Sequence, residues 1–493
     1  MVHRLDAGPG QCDTSKQAES TSMNEAVIDS LRHEANAKLD PKKKGALGQF
    51  MTPFKIAEFM ANLFVKRTNA VLMDAGAGIG SLTLAARKVL KLSRAEAWEC
   101  DPVMVSYLQA NLAGLGVPTE LHEKDFIIDS VDRIQFDTGT RFTHAILNPP
   151  YKKIGTDSIH RMACRQIGLE TVNLYTAFFA LAIMQMEQGG EIVIIIPRSF
   201  CNGPYYRPFR DLMLAKCSID VVHVFESRSQ AFKDDEVLQE NIILKLTRGG
   251  TQCDVTLSFS QDASFDDVHR RVVPFKVMVE PLDTERFIRI PKVDESDQAL
   301  ADLFKHGLKE LGLEVCTGPV VDFRLKAWWS QNPQPGTVPC VYPHHFTTAG
   351  FEWPKEHKKP NSLFRSPEVD KWLMREGVYV IVRRFSAKEE RRRVVAYVIT
   401  PEDSKSEWVG FENHWNVFHI RKGGLPLAVA KGLAAFLNTT ALDNRFRTFS
   451  GHTQVNATDL RNMKYPSLDR LRELGRRYRH GMEQGEIDGL LSE

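Results

Sequence analysis

The chain has 493 residues, 43% hydrophobic and 26% charged, with a formal net charge of +2. That balance suits a globular protein of two or three domains; it excludes wholesale disorder, a collagen-like chain and a membrane bundle. No apolar run reaches the ~20 residues that span a bilayer.

Residues 1–44 read as a polar N-terminal tail with one helix expected near 24–39; without the apolar core of a signal peptide, a cytoplasmic location is expected. Residues 45–275 alternate strand-like runs (70–74, 96–99, 119–122, 143–147, 191–197, 219–225, 241–247) with helical stretches such as 82–92, 103–115 and 174–187. Strands separated by helices imply an α/β fold: a mainly parallel, Rossmann-like sheet with helices on both faces. From 276 the texture changes, with Pro, Trp and polar residues rising around Trp328 and Trp329. Residues 276–466 read as an irregular α+β domain with β pieces at 378–383 and 393–399, and 467–493 as one charged terminal helix. The eight cysteines include no C-x-x-C pair, so neither a zinc site nor a disulfide framework is expected, and no metal. Residues 301–493 carry 29 Lys+Arg against 23 Asp+Glu, a weak sign of a polyanion partner there.

Four segments carry chemistry. Asp74-Ala75-Gly76-Ala77-Gly78-Ile79-Gly80 follows an apolar strand and opens a helix. Its glycines let the backbone approach a ligand, and the helix start offers open N–H groups, so the loop suits a nucleotide-like ligand. Glu99 ends the next strand, where an acid can accept both hydroxyls of a ribose; Asp101 competes for that role. Lys124-Asp125-Phe126 follows the third strand, and its carboxylate could accept from an adenine amino group beside the Phe126 ring. The fourth strand ends in Asn148-Pro149-Pro150-Tyr151. Two prolines remove two backbone donors and fix the chain. The Asn148 oxygen and the Pro149 carbonyl can then serve as paired acceptors, with Tyr151 as a flat face, which suits a planar exocyclic amine.

In this order the segments resemble the S-adenosylmethionine-dependent N6-adenine DNA methyltransferases of the γ arrangement, TaqI-like and PstI-type modification methylases. The resemblance is clear over 45–250 and looser over 310–466. It implies an S-adenosylmethionine-dependent methyltransferase domain at 45–275 and a target-recognition domain at 276–466. It also implies a duplex DNA substrate, base flipping, and a separately encoded restriction endonuclease acting on the same site. Thr52-Pro53 matches the segment that in this family lies beside the methionine end of the cofactor. Phe232 matches the aromatic that stacks on the flipped adenine, with Phe225 as competitor. Gly451, Asn456 and Asp459-Leu460, after the Arg- and Thr-rich stretch from Arg445, resemble recognition-domain sequence of PstI-type enzymes. Those side chains could read bases and phosphates or be ordinary turn and cap residues; Arg383-Arg384 and the run 388–393 could face phosphates or solvent. A monomer is expected. The rival activity is N-methylation of RNA or of protein glutamine, where N-P-P-Y also occurs, though in more compact chains.

Overall fold

The computed structural model describes residues 14–39, 51–139, 141–226, 240–291, 303–347, 350–387, 390–451 and 453–492. The chain folds as two units, one of 1–200 with 205–276 and one of 201–204 with 277–493.

The first unit is built on nine strands: β1 (Ala70–Ala75), β2 (Leu92–Trp98), β3 (Thr119–His122), β4 (Phe142–Leu147), β5 (Met186–Pro197), β6 (Cys217–Phe225), β7 (Asn241–Arg248), β8 (Val255–Ser260) and β9 (His269–Val273). They form one sheet in the order β3-β2-β1-β4-β5-β7-β6-β8-β9. β3, β2, β1, β4 and β5 run parallel, as their separation by helices requires. β7 is antiparallel to both β5 and β6, so β6 points the same way as β5. β8 is parallel to β6 and β9 antiparallel to β8. In β5 every residue from Ile192 to Ile196 is buried, as expected of a central strand covered on both faces. β8 and β9 were not anticipated; the β9 sequence His269-Arg270-Arg271 is largely solvated and carries no alternation to betray an edge strand.

The helices are α1 (Thr14–Lys38), α2 (Phe54–Asn62), α3 (Ser81–Val89), α4 (Pro102–Ala113), α5 (Phe126–Gln135), α6 (Ile159–Gln166), α7 (Leu174–Gln185) and α8 (Arg207–Lys216). Side-chain caps start several of them: Asp101 accepts from the Val103 and Met104 amides, Asp125 from those of Ile127 and Ile128, and Asn173 from that of Tyr175. The N-terminal segment differs from the expected polar tail. Leu31, Ala35 and Leu39 lie on one stripe, and they pack with Met51, Ile79 and Met104.

In the second unit, an antiparallel four-stranded sheet runs Glu314–Thr317, Trp415–His419, Tyr379–Arg383, Ala396–Ile399. A mixed five-stranded sheet of short strands, interleaved with it in sequence, runs from Trp329–Ser330 at one edge to Met374–Arg375 at the other and includes Trp408–Phe411. The segment read as one terminal helix is instead two, Leu468–Arg477 and Gln484–Ser492, because Gly481 takes a φ of +85° between them. Leu471, Leu474 and Leu490 join the apolar core of this unit. Helix Leu468–Arg477 meets helix Leu427–Leu437 backbone to backbone: a Cβ on Gly432 would lie 1.7 Å from the Leu471 carbonyl oxygen, and one on Gly475 1.8 Å from that of Ala428.

Candidate active site

The carboxyl ends of β3, β2, β1 and β4 stand side by side, and the four segments singled out in the sequence follow those strands in turn. Between β1 and β4 the strand order reverses direction, the place where open α/β sheets form their ligand crevice. A cavity opens there, lined by Gly76, Gly78, Glu99, Asp125, Phe126, Asn148 and Pro150, together with Thr52 from the start of α2 and Leu39 from the end of α1.

The loop after β1 holds its glycines at φ of +74°, +58° and +88° for Gly76, Gly78 and Gly80. A Cβ on Gly78 would meet nothing within 4 Å, so this residue faces open space, whereas one on Gly80 would lie 2.9 Å from Leu108 Cδ1. Asp74 is fully buried and lines no part of the cavity. Its Oδ2 accepts from the Thr83 amide (3.1 Å) and hydroxyl (2.6 Å), so it ties β1 to α3 beneath the loop. Burial pushes its carboxyl up to about 7, against the two Thr83 bonds. Ala75 likewise lies outside the lining, at the buried end of β1.

Glu99 is 6% exposed and is gripped by three backbone amides: Gly78 on Oε2 and Cys100 and Asp101 on Oε1, each at 2.9 Å. Burial raises its carboxyl above the usual range, and these bonds oppose that. Asp101, the competing acid, is consumed as the α4 cap. Asp125 Oδ1 accepts from the Ile127 and Ile128 amides of α5, and its Oδ2 accepts from His160 Nε2 at 2.8 Å. Burial works to raise its carboxyl, but His160 and the amides outweigh this and hold it below the usual range. Phe126 is buried against Trp98 and Phe178 and forms a wall of the cavity.

At the end of β4, Asn148 is 9% exposed. Its Nδ2 donates to Thr52 Oγ1 (2.9 Å), and its Oδ1 accepts from the Tyr151 hydroxyl (2.8 Å). That hydroxyl also reaches the Ile195 carbonyl on β5 at 3.2 Å. Burial pushes the Tyr151 phenol up, so it stays a neutral donor. The Tyr151 ring meets Tyr175 edge-on at 6.3 Å, and Tyr175 in turn bonds Ser199 (2.8 Å). Pro53 precedes α2 at the cap position, and Pro149 and Tyr151 flank the lining residues Asn148 and Pro150 without belonging to the lining themselves.

The structure thus brings Thr52, Gly76, Gly78, Glu99, Asp125, Phe126, Asn148 and Pro150 around one cavity. Phe232 lies outside the described residues. Phe225 packs in the apolar core with His223 and Phe265, so it is not a stacking residue. His160 and Leu39 were missed. Leu39 was legible in the α1 stripe, whereas no local pattern marks His160. In the second unit the segment left open between base contacts and cap residues supplies caps and pairs: Arg447 pairs with Asp443, Asn456 and Asp459 form a capping box, and Asp459 accepts from Asn202. Arg393, in the charge run expected at the surface, is 1% exposed and lies over the Phe446 ring.

The glycine loop, the strand-end acid and the strand order define the fold as that of the S-adenosylmethionine-dependent methyltransferases. A family model described as the Eco57I restriction-modification methylase matches residues 89–232. The chain is 49% identical over 492 residues to the type II methyltransferase M.BsuBI of Bacillus subtilis, covering 95% of this chain and 97% of that one. It is 40% identical over 492 residues to the type II methyltransferase M.PstI of Providencia stuartii, covering 95% and 96%. The DrdV–DNA complex, solved by electron cryomicroscopy, has a similar fold, with 12% identity and a TM-score of 0.51 over 92% of this chain and 59% of that one. The chain belongs to the type II DNA methyltransferases of restriction–modification systems. S-adenosylmethionine is its cofactor and DNA its substrate. Among the described residues no helix is long and apolar enough to cross a membrane.

Proposed function

We propose that the chain transfers the methyl group to N6 of an adenine flipped out of a duplex recognition site, and so protects that site from a partner restriction endonuclease. The observation that carries this is the fixed orientation of Asn148. Its amide NH2 is held by Thr52, its oxygen is turned toward Tyr151, and the residue lies on the cavity that also holds Gly78 and Glu99.

The residues fit the cofactor. Glu99, whose two oxygens are aimed by backbone amides, accepts the ribose hydroxyls. Asp125 offers its cavity-side carboxylate to the adenine amino group, with Phe126 as the wall. Thr52-Pro53 borders the methionine end, and the open space beside Gly78 leaves room for the ligand against the loop. Asp74 and Ala75 shape that loop from beneath. The cofactor supplies a methyl group already activated by a positive sulfur.

The protein's own task is to make a poor nucleophile competent. The adenine N6 lone pair is delocalised into the ring. Asn148 Oδ1 and the Pro149 carbonyl accept the two amine hydrogens and draw the nitrogen toward tetrahedral geometry, releasing the lone pair. Such preset acceptors act by positioning and electrostatics. A base inside duplex DNA cannot reach the cavity and has to leave the stack. Tyr151 and Phe232 stack on its two faces, which offsets the cost of unstacking by ~1–3 kcal/mol per stacked base.

Replacing Asn148 by Ala tests this. Methyl transfer should fall by at least about 10²-fold, the usual loss for one preset polar group at a reacting centre. Affinity for S-adenosylhomocysteine should stay near that of the parent. The product is read as N6-methyladenine by mass spectrometry of digested DNA. A mark on cytosine, or full activity of the variant, refutes the assignment.

A further inference from the structure

We infer that a basic groove along one edge of the second unit's four-stranded sheet holds the phosphate backbone of the DNA. The groove has a volume of about 820 Å³, far too large for one ion. It follows the edge strand Glu314–Thr317, which among the described residues pairs on its other side alone, with Trp415–His419.

Five cations line it: Lys309, Lys371, Arg421, Lys422 and Arg461, all exposed. Arg461 donates to the Val315 carbonyl on the edge strand at 3.0 Å. Among the described residues, no carboxylate lies within ion-pair distance of Lys309, Lys371, Arg421 or Lys422. Among the same residues Glu314 is the only acid in the lining, and it sits 3.6 Å from His419. Arg421 and Lys422 are both left-handed, with φ of +48° and +65°, at the turn that leaves strand Trp415–His419. Two consecutive non-glycine residues in that region are uncommon and set both side chains at one bend.

The contrast with the rest of the unit makes the case. Several of the arginines that the sequence offered for phosphate binding are already engaged by partners within the unit. Arg383 pairs with Glu390, Arg447 with Asp443, and Arg392 donates to the Asn438 carbonyl. These lie around the strands at the opposite edge of the same sheet. The Glu314–Thr317 edge, by contrast, gathers five exposed cations around one groove with a single acid in its lining. A row of exposed ammonium and guanidinium groups matches a line of phosphates, which needs charge and not base-edge geometry.

The test is the fourfold variant Lys309→Gln, Lys371→Gln, Arg421→Gln, Lys422→Gln in the full chain. The probe is a fluorescein-labelled mixed-sequence duplex, titrated by anisotropy across about 50–200 mM salt. The slope of log affinity against log salt should become shallower by about 0.9 for each phosphate that the variant no longer neutralises. DNA affinity should fall at least about tenfold at the low-salt end, while kcat at saturating DNA and affinity for S-adenosylhomocysteine hold. A charge-matched control neutralises exposed Lys91, Lys216, Arg270 and Lys276 of the first unit. An unchanged slope overturns the proposal, as does an equal fall in affinity in the control. A variant that aggregates but keeps the parental slope also overturns it, since the cations would then serve only to shield an open sheet edge.

Discussion

Glu99→Gln isolates the acid proposed to hold the ribose. The change is isosteric and removes one charge. Three backbone amides converge on the carboxylate at 2.9 Å before any cofactor binds, so the cost of disturbing them falls mainly on the free protein and largely cancels in a binding measurement. What differs is the bond to ribose, because one oxygen has become an NH2 that cannot accept. A hydrogen bond to a charged group contributes about 1.5–3 kcal/mol. At 1.4 kcal/mol per factor of ten, cofactor affinity should weaken about 10- to 150-fold. Isothermal titration with S-adenosylhomocysteine reads this directly, and kcat at saturating cofactor and DNA affinity should change little. Asp101→Ala is the comparison: loss of the α4 cap should cost about 0.5–2 kcal/mol of stability and spare cofactor affinity. If Glu99→Gln binds like the parent and Asp101→Ala does not, the ribose acid is Asp101 and the reasoning fails.

Asp74→Asn should keep an acceptor for Thr83 while removing a buried charge. The folded Asp74 carboxyl is raised from 3.8 to about 7, so the folded state holds the extra proton between those values and the burial cost is full only above about pH 7. The variant should therefore melt above the parent at pH 8, with the gap narrowing toward pH 5; a parent that stays the more stable at pH 8 contradicts this. Gly432→Ala places a Cβ 1.7 Å from the Leu471 carbonyl oxygen and should lower stability by ~1–3 kcal/mol or more in urea melts, whereas Gly485→Ala, with nothing within 4 Å, should not. Equal midpoints for the two would show that the helices slide apart freely.

The sheet of the first unit was legible because its strands are apolar runs bounded by turn chemistry, and the parallel order followed from the helices between them. The acids that line the cavity were legible for a related reason. Each follows the end of a parallel strand, and the four strands β3, β2, β1 and β4 are neighbours in the sheet, so segments far apart in the chain meet at one sheet edge. What a strand end does not reveal is which oxygen is already taken. Asp74 read as a ligand contact and turned out to be a strut beneath the loop, since Thr83 lies nine residues on and only the fold brings it near. His160 reaches Asp125 across 35 residues and left no local trace.

The second unit resisted reading for a different physical reason. Its arginines carry both functions that the residue serves, packing and charge, and sequence does not separate them. Arg393 in a run of six charges is 1% exposed, its amide bonded to Asp443 and its side chain laid over Phe446. Arg421 and Lys422, a mere pair, stand exposed at a left-handed bend. A carboxylate near in space decides which cation remains available to DNA. Asp443 alone engages the Arg393 and Val394 amides and the Arg447 side chain. Charge density along the chain is therefore a poor guide to the DNA-facing surface of this protein, and the better guide is where positive side chains outnumber the acids that could reach them.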